Sequence, residues 1–376
     1  MAPNDTIRNA DDSQGQFQEH RLPEDRPSTF EVTRQSLDTS NLIWRKIEDD
    51  ACRVIFGSNF IEDAGAGFGY TSKLCKKIFH GEHVDVEVAE ADQDSPEHAM
   101  LLSDLRGRGK LPDESTVIRA RREIIQHAQA LVWAVNHTCF GEKAWTERSV
   151  KTVHAILYAG MANDEVTPGE YRGAGHCTPA QDIDPNTGRV TRLIHHEVVR
   201  AYMVDWVYHL SSDMLKTERG SEPHILAAKH YHHFINIEPF GDGTGRVARI
   251  ILSTLAMQLC NCLLPLGEYA KEKHAYLDIA VRGSRGYQSE EAVPMDEQIG
   301  HLEMAELIAT KIEQVHKRRL VNSRSPNQIS DEPEEPADFW GWFTWATRHH
   351  GEYDETENYE TKKKTKGDRK GKSRAV

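Results

Sequence analysis

Apolar residues recur at helical spacing in segment after segment of this chain, and one long stretch abandons that period. Residues 41–56 carry Ile43, Ile47 and Val54 or Ile55 at near-helical intervals. Residues 117–136 place Ile124, Ile125, Ala128, Leu131, Val132 and Val135 on one face, and 148–160 repeat the pattern with Val150, Val153, Ile156 and Leu157. The period returns at 197–211 (Val199, Met203, Trp206, Leu210), at 222–236, at 246–260 and at 301–318 (Leu302, Ala305, Ile308, Ile312, Val315). Such spacing defines one buried stripe of an α-helix. The predicted class is therefore mainly α.

The exception is PGEYRGAGHCTPAQDIDPNTGRVTRLI, residues 168–194. Asp184-Pro185-Asn186-Thr187-Gly188 is turn chemistry, and Val190 to Ile194 favours an extended strand, so one β-hairpin is expected here. Residues 81–97 (GEHVDVEVAEADQDSPE) are acidic and read as a loop.

The ends differ from the middle. Residues 1–35 are polar, lack periodicity and read as disordered, with no apolar core of a secretory signal. The periodic region occupies 36–320, and 321–337 read as a linker. Residues 338–352 are dense in aromatics and are expected to dock on the main domain, with partner binding as the alternative. The tail, 353–376, is strongly basic although the whole chain carries a net charge of −13. A solvated end, or an end that binds nucleic acid, acidic lipid or an import receptor, are the readings open there; no other nucleic-acid contact is expected. No apolar run approaches the ~20 residues a membrane span needs, so no membrane partner is expected. Six cysteines at 52, 75, 139, 177, 260 and 262 include no C-x-x-C pair, which suits reduced thiols and a cytoplasmic or nuclear location.

The chemistry concentrates in residues 238–249, Glu-Pro-Phe-Gly-Asp-Gly-Thr-Gly-Arg-Val-Ala-Arg. Gly243 and Gly245 flank Thr244, and an apolar helix starts directly after. Glycines let backbone N–H groups converge on an anion, and a helix start adds free donors and a positive dipole end. Arg246 and Arg249, three apart, are expected on one face of the first turn. Asp242 is a hard oxygen ligand of the kind that holds Mg²⁺ against phosphates. The residues alone thus suggest polyphosphate binding, against the plainer alternative of a glycine-rich helix start with two surface arginines.

Taken together, HHFINIEPFGDGTGRVAR closely resembles the Fic (Fido) signature H-P-F-x-[D/E]-G-N-G-R-x-x-R. Pro239, Phe240, Asp242, Gly243, Gly245, Arg246 and Arg249 match in order and spacing. PGEYR at 168–172 resembles the family's pre-flap segment, the hairpin its flap, and EPHILAAKHYHHF the helix leading into the motif. The resemblance implies a helical Fic fold over roughly residues 40–320 with one β-hairpin flap, ATP or another nucleotide with Mg²⁺ as ligand, and transfer of AMP to a protein hydroxyl. It implies Mg²⁺ at Asp242 and phosphates at Gly243, Thr244, Gly245, Arg246 and Arg249. It also implies a target protein added to the flap as a strand. Ser58-Asn59-Phe60-Ile61-Glu62-Asp63 resembles the family's inhibitory motif [S/T]-x-x-x-E-[G/N], in which Ser58 and Glu62 would restrain the site through Arg249.

Two positions depart from that pattern. Glu238 stands where the family's catalytic histidine would be, and Thr244 where it has asparagine. A carboxylate, with a reference pKa near ~4.3 against ~6.5 for imidazole, is a weaker general base and adds negative charge beside the phosphates. One reading is an enzyme with Glu238 as catalytic base. The alternative is a pseudoenzyme acting as a nucleotide-gated or flap-mediated interaction module. The retained Asp242, Gly243, Gly245, Arg246 and Arg249 argue for phosphate binding in either case.

Overall fold

The computed structural model describes residues 37–89, 92–161, 166–173, 194–216, 222–290, 292–294 and 297–323. By contacts the chain divides into Met1–Leu42 and Ile43–Val376, and the buried core residues belong to the second unit. The expected hairpin beyond residue 173, the linker, the aromatic segment, both chain ends and Cys177 lie outside the described residues.

Ten α-helices make up the described part: α1 (Leu37–Ile61), α2 (Phe68–Phe79), α3 (Pro96–Gly107), α4 (Glu114–Val135), α5 (Glu147–Leu157), α6 (Val199–Lys216), α7 (Pro223–Ile237), α8 (Thr244–Cys260), α9 (Ala270–Ser289) and α10 (Leu302–Ser323). Every segment with helical periodicity in the sequence is one of them. Of the acidic stretch, residues 81–89 are loop, and a turn at 92–95 leads to Ser95. Its hydroxyl then accepts the His98 N–H at 3.1 Å with Pro96 following, which starts α3.

α8 sits at the centre. Val247, Ala248, Ile250, Ile251, Leu252 and Leu255 are buried on one side and Arg249, Ser253, Ala256 and Met257 on the other, the pattern of a helix surrounded by others. It packs on α7, α4 and α5, and α7 packs in turn on α6, α9 and α10. The loop joining α7 to α8, residues 238–243, thus hangs between two helices that pack on each other.

α1 is fastened by charge. Asp50 accepts from Arg319 at 2.8 Å and Glu268 accepts from Arg53 at 2.9 Å, with Arg318 3.3 Å from Glu268. Lys311, buried on α10, pairs with Glu272. Such buried charges hold their helices in place chiefly because losing one partner strands the other. Among the described residues no helix is long and apolar enough to cross a membrane.

Candidate functional site

α7 ends because Glu238 adopts a left-handed conformation, φ 45° and ψ 66°. That geometry is costly for a residue other than glycine unless its surroundings enforce it. Here the buried Arg172 does so. Its Nε donates to the Glu238 carbonyl at 2.6 Å and its backbone N–H donates to the Pro239 carbonyl at 2.9 Å. Its guanidinium also reaches the carbonyls of Ile237 and Ile194. One side chain therefore ties the loop to both residues that border the turn-rich segment.

The loop then turns over an aromatic floor. Phe240 stacks on the His154 ring at 3.8 Å between centroids and 4° between planes. His154 Nε2 lies 3.1 Å from the Asp242 carbonyl and Nδ1 accepts the Gly169 N–H at 2.9 Å. Those partners require the neutral tautomer with its proton on Nε2. Burial pushes the His154 pKa down to about 4. With both nitrogens engaged and the ring fully buried, His154 is a structural histidine.

Gly243 caps α8 at φ 83°, and a Cβ there would meet the Tyr158 ring at 2.3 Å. Only glycine satisfies both the angle and the space. The first helical N–H groups of Thr244, Gly245 and Arg246 have no helical carbonyl to donate to. Asp242 Oδ1 accepts the Gly243 N–H at 2.6 Å, and its carboxylate is 63% exposed, with Oδ2 3.9 Å from Arg246. Thr244 is buried and its hydroxyl accepts the Phe240 N–H at 3.3 Å, so it braces the loop from within.

The two arginines, three apart at the start of α8, take different partners. Arg246 lies under the Tyr158 ring, 4.9 Å from its centroid, and donates to its hydroxyl. Its Nε is buried with no hydrogen bond among the described residues. Arg249 turns toward α1. Its Nε donates to Ser58 Oγ at 2.7 Å, Nη1 to the Tyr276 hydroxyl at 3.1 Å, and Nη2 to the Ser58 carbonyl at 3.1 Å and Glu62 Oε1 at 2.5 Å. Burial alone would lower its pKa, but Tyr276 and Glu62 outweigh that and hold the charge firmly.

Glu62 follows the last residue of α1, and the chain turns there through Asp63 at φ 54°. The Ala64 N–H closes back on the Asn59 carbonyl at 2.8 Å. This left-handed helix terminus explains why Gly or Asn would suit the last motif position and why Asp, short and polar, also serves. The Glu62 carboxylate ends up against the start of α8: a Cβ on Gly245 would meet its Oε1 at 2.6 Å.

Glu238, Asp242, Gly243, Thr244, Gly245 and Arg246 thus lie along one loop and helix start, with Arg249, Ser58 and Glu62 joined beside them. Sequence reasoning missed His154, Tyr158, Arg172 and Tyr276. Tyr158 and His154 lie four apart at the end of α5, a spacing that offers an aromatic pair to one neighbour.

Residues 144–256 match the family described as Fic/DOC. No curated protein matches the chain. Among solved structures, a Fic domain containing signaling protein from Bacteroides thetaiotaomicron VPI-5482 is 16% identical, with a TM-score of 0.55 over 78% of this chain and 94% of that one. A Fic family protein from Desulfovibrio desulfuricans G20 is 15% identical, with a TM-score of 0.43 over 79% and 72%. At such identity the first of these speaks for the helical Fic fold alone.

Proposed function

We infer that the Fic/DOC family domain carried by this chain at residues 144–256 binds the phosphates of a nucleotide, ATP foremost, or of another phosphate ligand. We infer too that Glu62 restrains this site and that Glu238 leaves it a weak or silent protein AMP-transferase. The observation that carries the reading is the position of the Glu62 carboxylate. It lies against Gly245 at the start of α8, where unpaired N–H groups and the helix dipole favour an anion. The orphaned Nε of Arg246 in the same first turn supports it further. A buried donor without a partner costs about 1–3 kcal/mol, which a phosphate oxygen would recover.

Mg²⁺ fits the donors present. Asp242 uses one oxygen on the Gly243 N–H and keeps the other in an exposed carboxylate, which suits an ion held by one carboxylate plus phosphates. When bound, the ion would neutralise phosphate charge. The protein's own part is to orient: the Gly243 turn and the Tyr158 ring fix the helix start, and Arg172 fixes the Glu238 backbone. Glu238 would have to accept a proton from a target hydroxyl to act as base: ionised it repels the triphosphate, and protonated it cannot accept. A target protein would add to the flap, residues 173–194, as a strand.

The second reading is a pseudoenzyme in which nucleotide occupancy gates a protein contact. The saturation of Arg249 by Ser58, Tyr276 and Glu62 favours it, because that arginine is tied into the structure. Titration calorimetry with Mg-ATP beside a labelled-ATP transfer assay, on wild type and Glu62→Gly, tests both. Binding without transfer supports the second reading, and binding with transfer supports the first. If Glu62→Gly binds neither ATP nor inorganic triphosphate, the phosphate reading is wrong.

A further inference from the structure

Resting on the phosphate-binding reading, we propose that Arg119 on α4 contacts the distal phosphates of the bound nucleotide.

Both motif arginines are engaged inside the protein. Arg249 directs all three nitrogens to Ser58, Tyr276 and Glu62, and Arg246 is held beneath Tyr158. Arg119 is placed differently. Its side chain is 76% exposed, yet its base is anchored: Nε donates to Glu123 Oε1 at 3.0 Å. Glu123 is buried, and its other oxygen accepts the Gly65 N–H at 2.7 Å, three residues beyond Glu62. The two terminal amino groups of Arg119 have no partner among the described residues. The guanidinium is thus oriented at one edge and open at the other, the form in which arginine binds phosphate with a planar fork.

Its position follows from its neighbours on α4. One turn further on, Arg122 Nη1 donates to the Gly160 carbonyl at 2.6 Å, and Gln126 bonds the Ala159 carbonyl. Residues 119, 122 and 126 share one helix face, so that face meets the end of α5 where Tyr158 stands. The charge of Arg119 is supported first by Glu123 and then by Asp242 and Tyr158. Arg119 is therefore tied through Glu123 to the turn that follows Glu62, on the α4 face that meets the residues just after Tyr158. A phosphate chain that took the place of the Glu62 carboxylate at Gly245 would offer its outer oxygens to this open edge.

The test compares Glu62→Gly with Glu62→Gly/Arg119→Ala by calorimetry, using Mg-ATP, Mg-ADP, AMP and inorganic triphosphate at two salt concentrations. The expected result is about tenfold weaker binding of ATP and triphosphate, a smaller loss for ADP, no change for AMP, and a shallower salt dependence. Arg119→Lys should fall between. Equal losses for all four ligands together with a lower melting temperature would mean that Arg119 only supports the Gly65 turn through Glu123, and would overturn the proposal. Unchanged ATP and triphosphate affinity would overturn it while leaving the phosphate reading intact. If the Glu62→Gly parent binds none of the four, both fall.

Discussion

Glu62 Oε1 lies 2.5 Å from Nη2 of Arg249, and the same oxygen occupies the space in front of Gly245 at the start of α8. One carboxylate thus engages the second motif arginine and an anion-attracting helix start together. Two like charges 4 Å apart repel by about 4 kcal/mol at an effective dielectric of 20, so a phosphate and this carboxylate compete for one place. Glu62→Gly should tighten Mg-ATP binding by at least about tenfold, less than the full repulsion because the Glu62 side chain is 38% exposed and partly screened. Calorimetry reads the affinity, and labelled-ATP transfer reads any activity. Equal affinity in the two proteins would exclude a restraining role.

Arg246→Ala should weaken nucleotide or pyrophosphate binding by about 1.5–3 kcal/mol, the worth of a charge-assisted contact. The residue is buried beneath Tyr158, so the variant's melting temperature must be followed alongside. Tyr158→Phe removes the hydroxyl that Arg246 donates to while keeping the ring under Gly243. It should leave phosphate binding intact or tighter. Loss of binding in Tyr158→Phe equal to that in Arg246→Ala would instead make the pair a structural unit.

Most helices were legible from repeating apolar residues, and α8 from its apolar run, but α2 was overlooked although Tyr70, Leu74 and Ile78 repeat at helical spacing. α9 escaped because AKEKHAYLDIAVRGSRGYQS is mostly polar and carries two glycines, its burial resting largely on Tyr276. α3 escaped behind an acidic run, although Ser95-Pro96 is a readable helix start. In the site, the loop residues were legible because glycine geometry and arginine chemistry are local. Arg172, His154 and Tyr276 were not, because they meet the loop and Arg249 from 66, 88 and 27 residues away. Only the folded chain brings such partners together. The different partners of Arg246 and Arg249, Tyr158 and Ser58, are likewise not revealed by helical spacing alone.

Stability should fall in mild acid. The fold lowers the His154 pKa from 6.5 to about 4, so between those values the unfolded chain binds a proton that the folded chain refuses. This contribution is complete above pH 6.5 and is lost as pH falls toward 4. At about 1.4 kcal/mol per unit it amounts to about 3 kcal/mol. His232 and His233, lowered by burial to about 4 and about 3, act in the same direction. Denaturant midpoints measured from about pH 7.5 to about 4 should therefore drop steeply, and His154→Gln should flatten that slope in part while lowering stability at the neutral end. An unchanged slope would mean that His154 stays accessible to protons in the fold.

Glu238→His should create or greatly increase labelled-AMP transfer. Transfer needs a base that takes a proton beside a triphosphate, and neutral imidazole does so without adding negative charge. Glu238 brings a carboxylate to the same place: ionised it repels the nucleotide, and protonated it cannot serve as base. General-base assistance is typically worth about 10²–10⁴-fold, so restoring it should be plain in the assay. The backbone there is already set, since Arg172 holds the Glu238 carbonyl and the left-handed turn belongs to the loop. The histidine variant would inherit that position. Glu62→Gly should be combined with it to clear the helix start. Thr244→Asn is the riskier addition, because Thr244 is buried and its hydroxyl accepts the Phe240 N–H, a contact the longer amide must reproduce. Efficient transfer by wild type that Glu238→Ala abolishes would make Glu238 a working base and end the pseudoenzyme reading. Silence of the Glu238→His/Glu62→Gly protein with ATP, while it still binds ATP, would mean that more than the base has changed and that the loop serves a phosphate ligand in another chemistry.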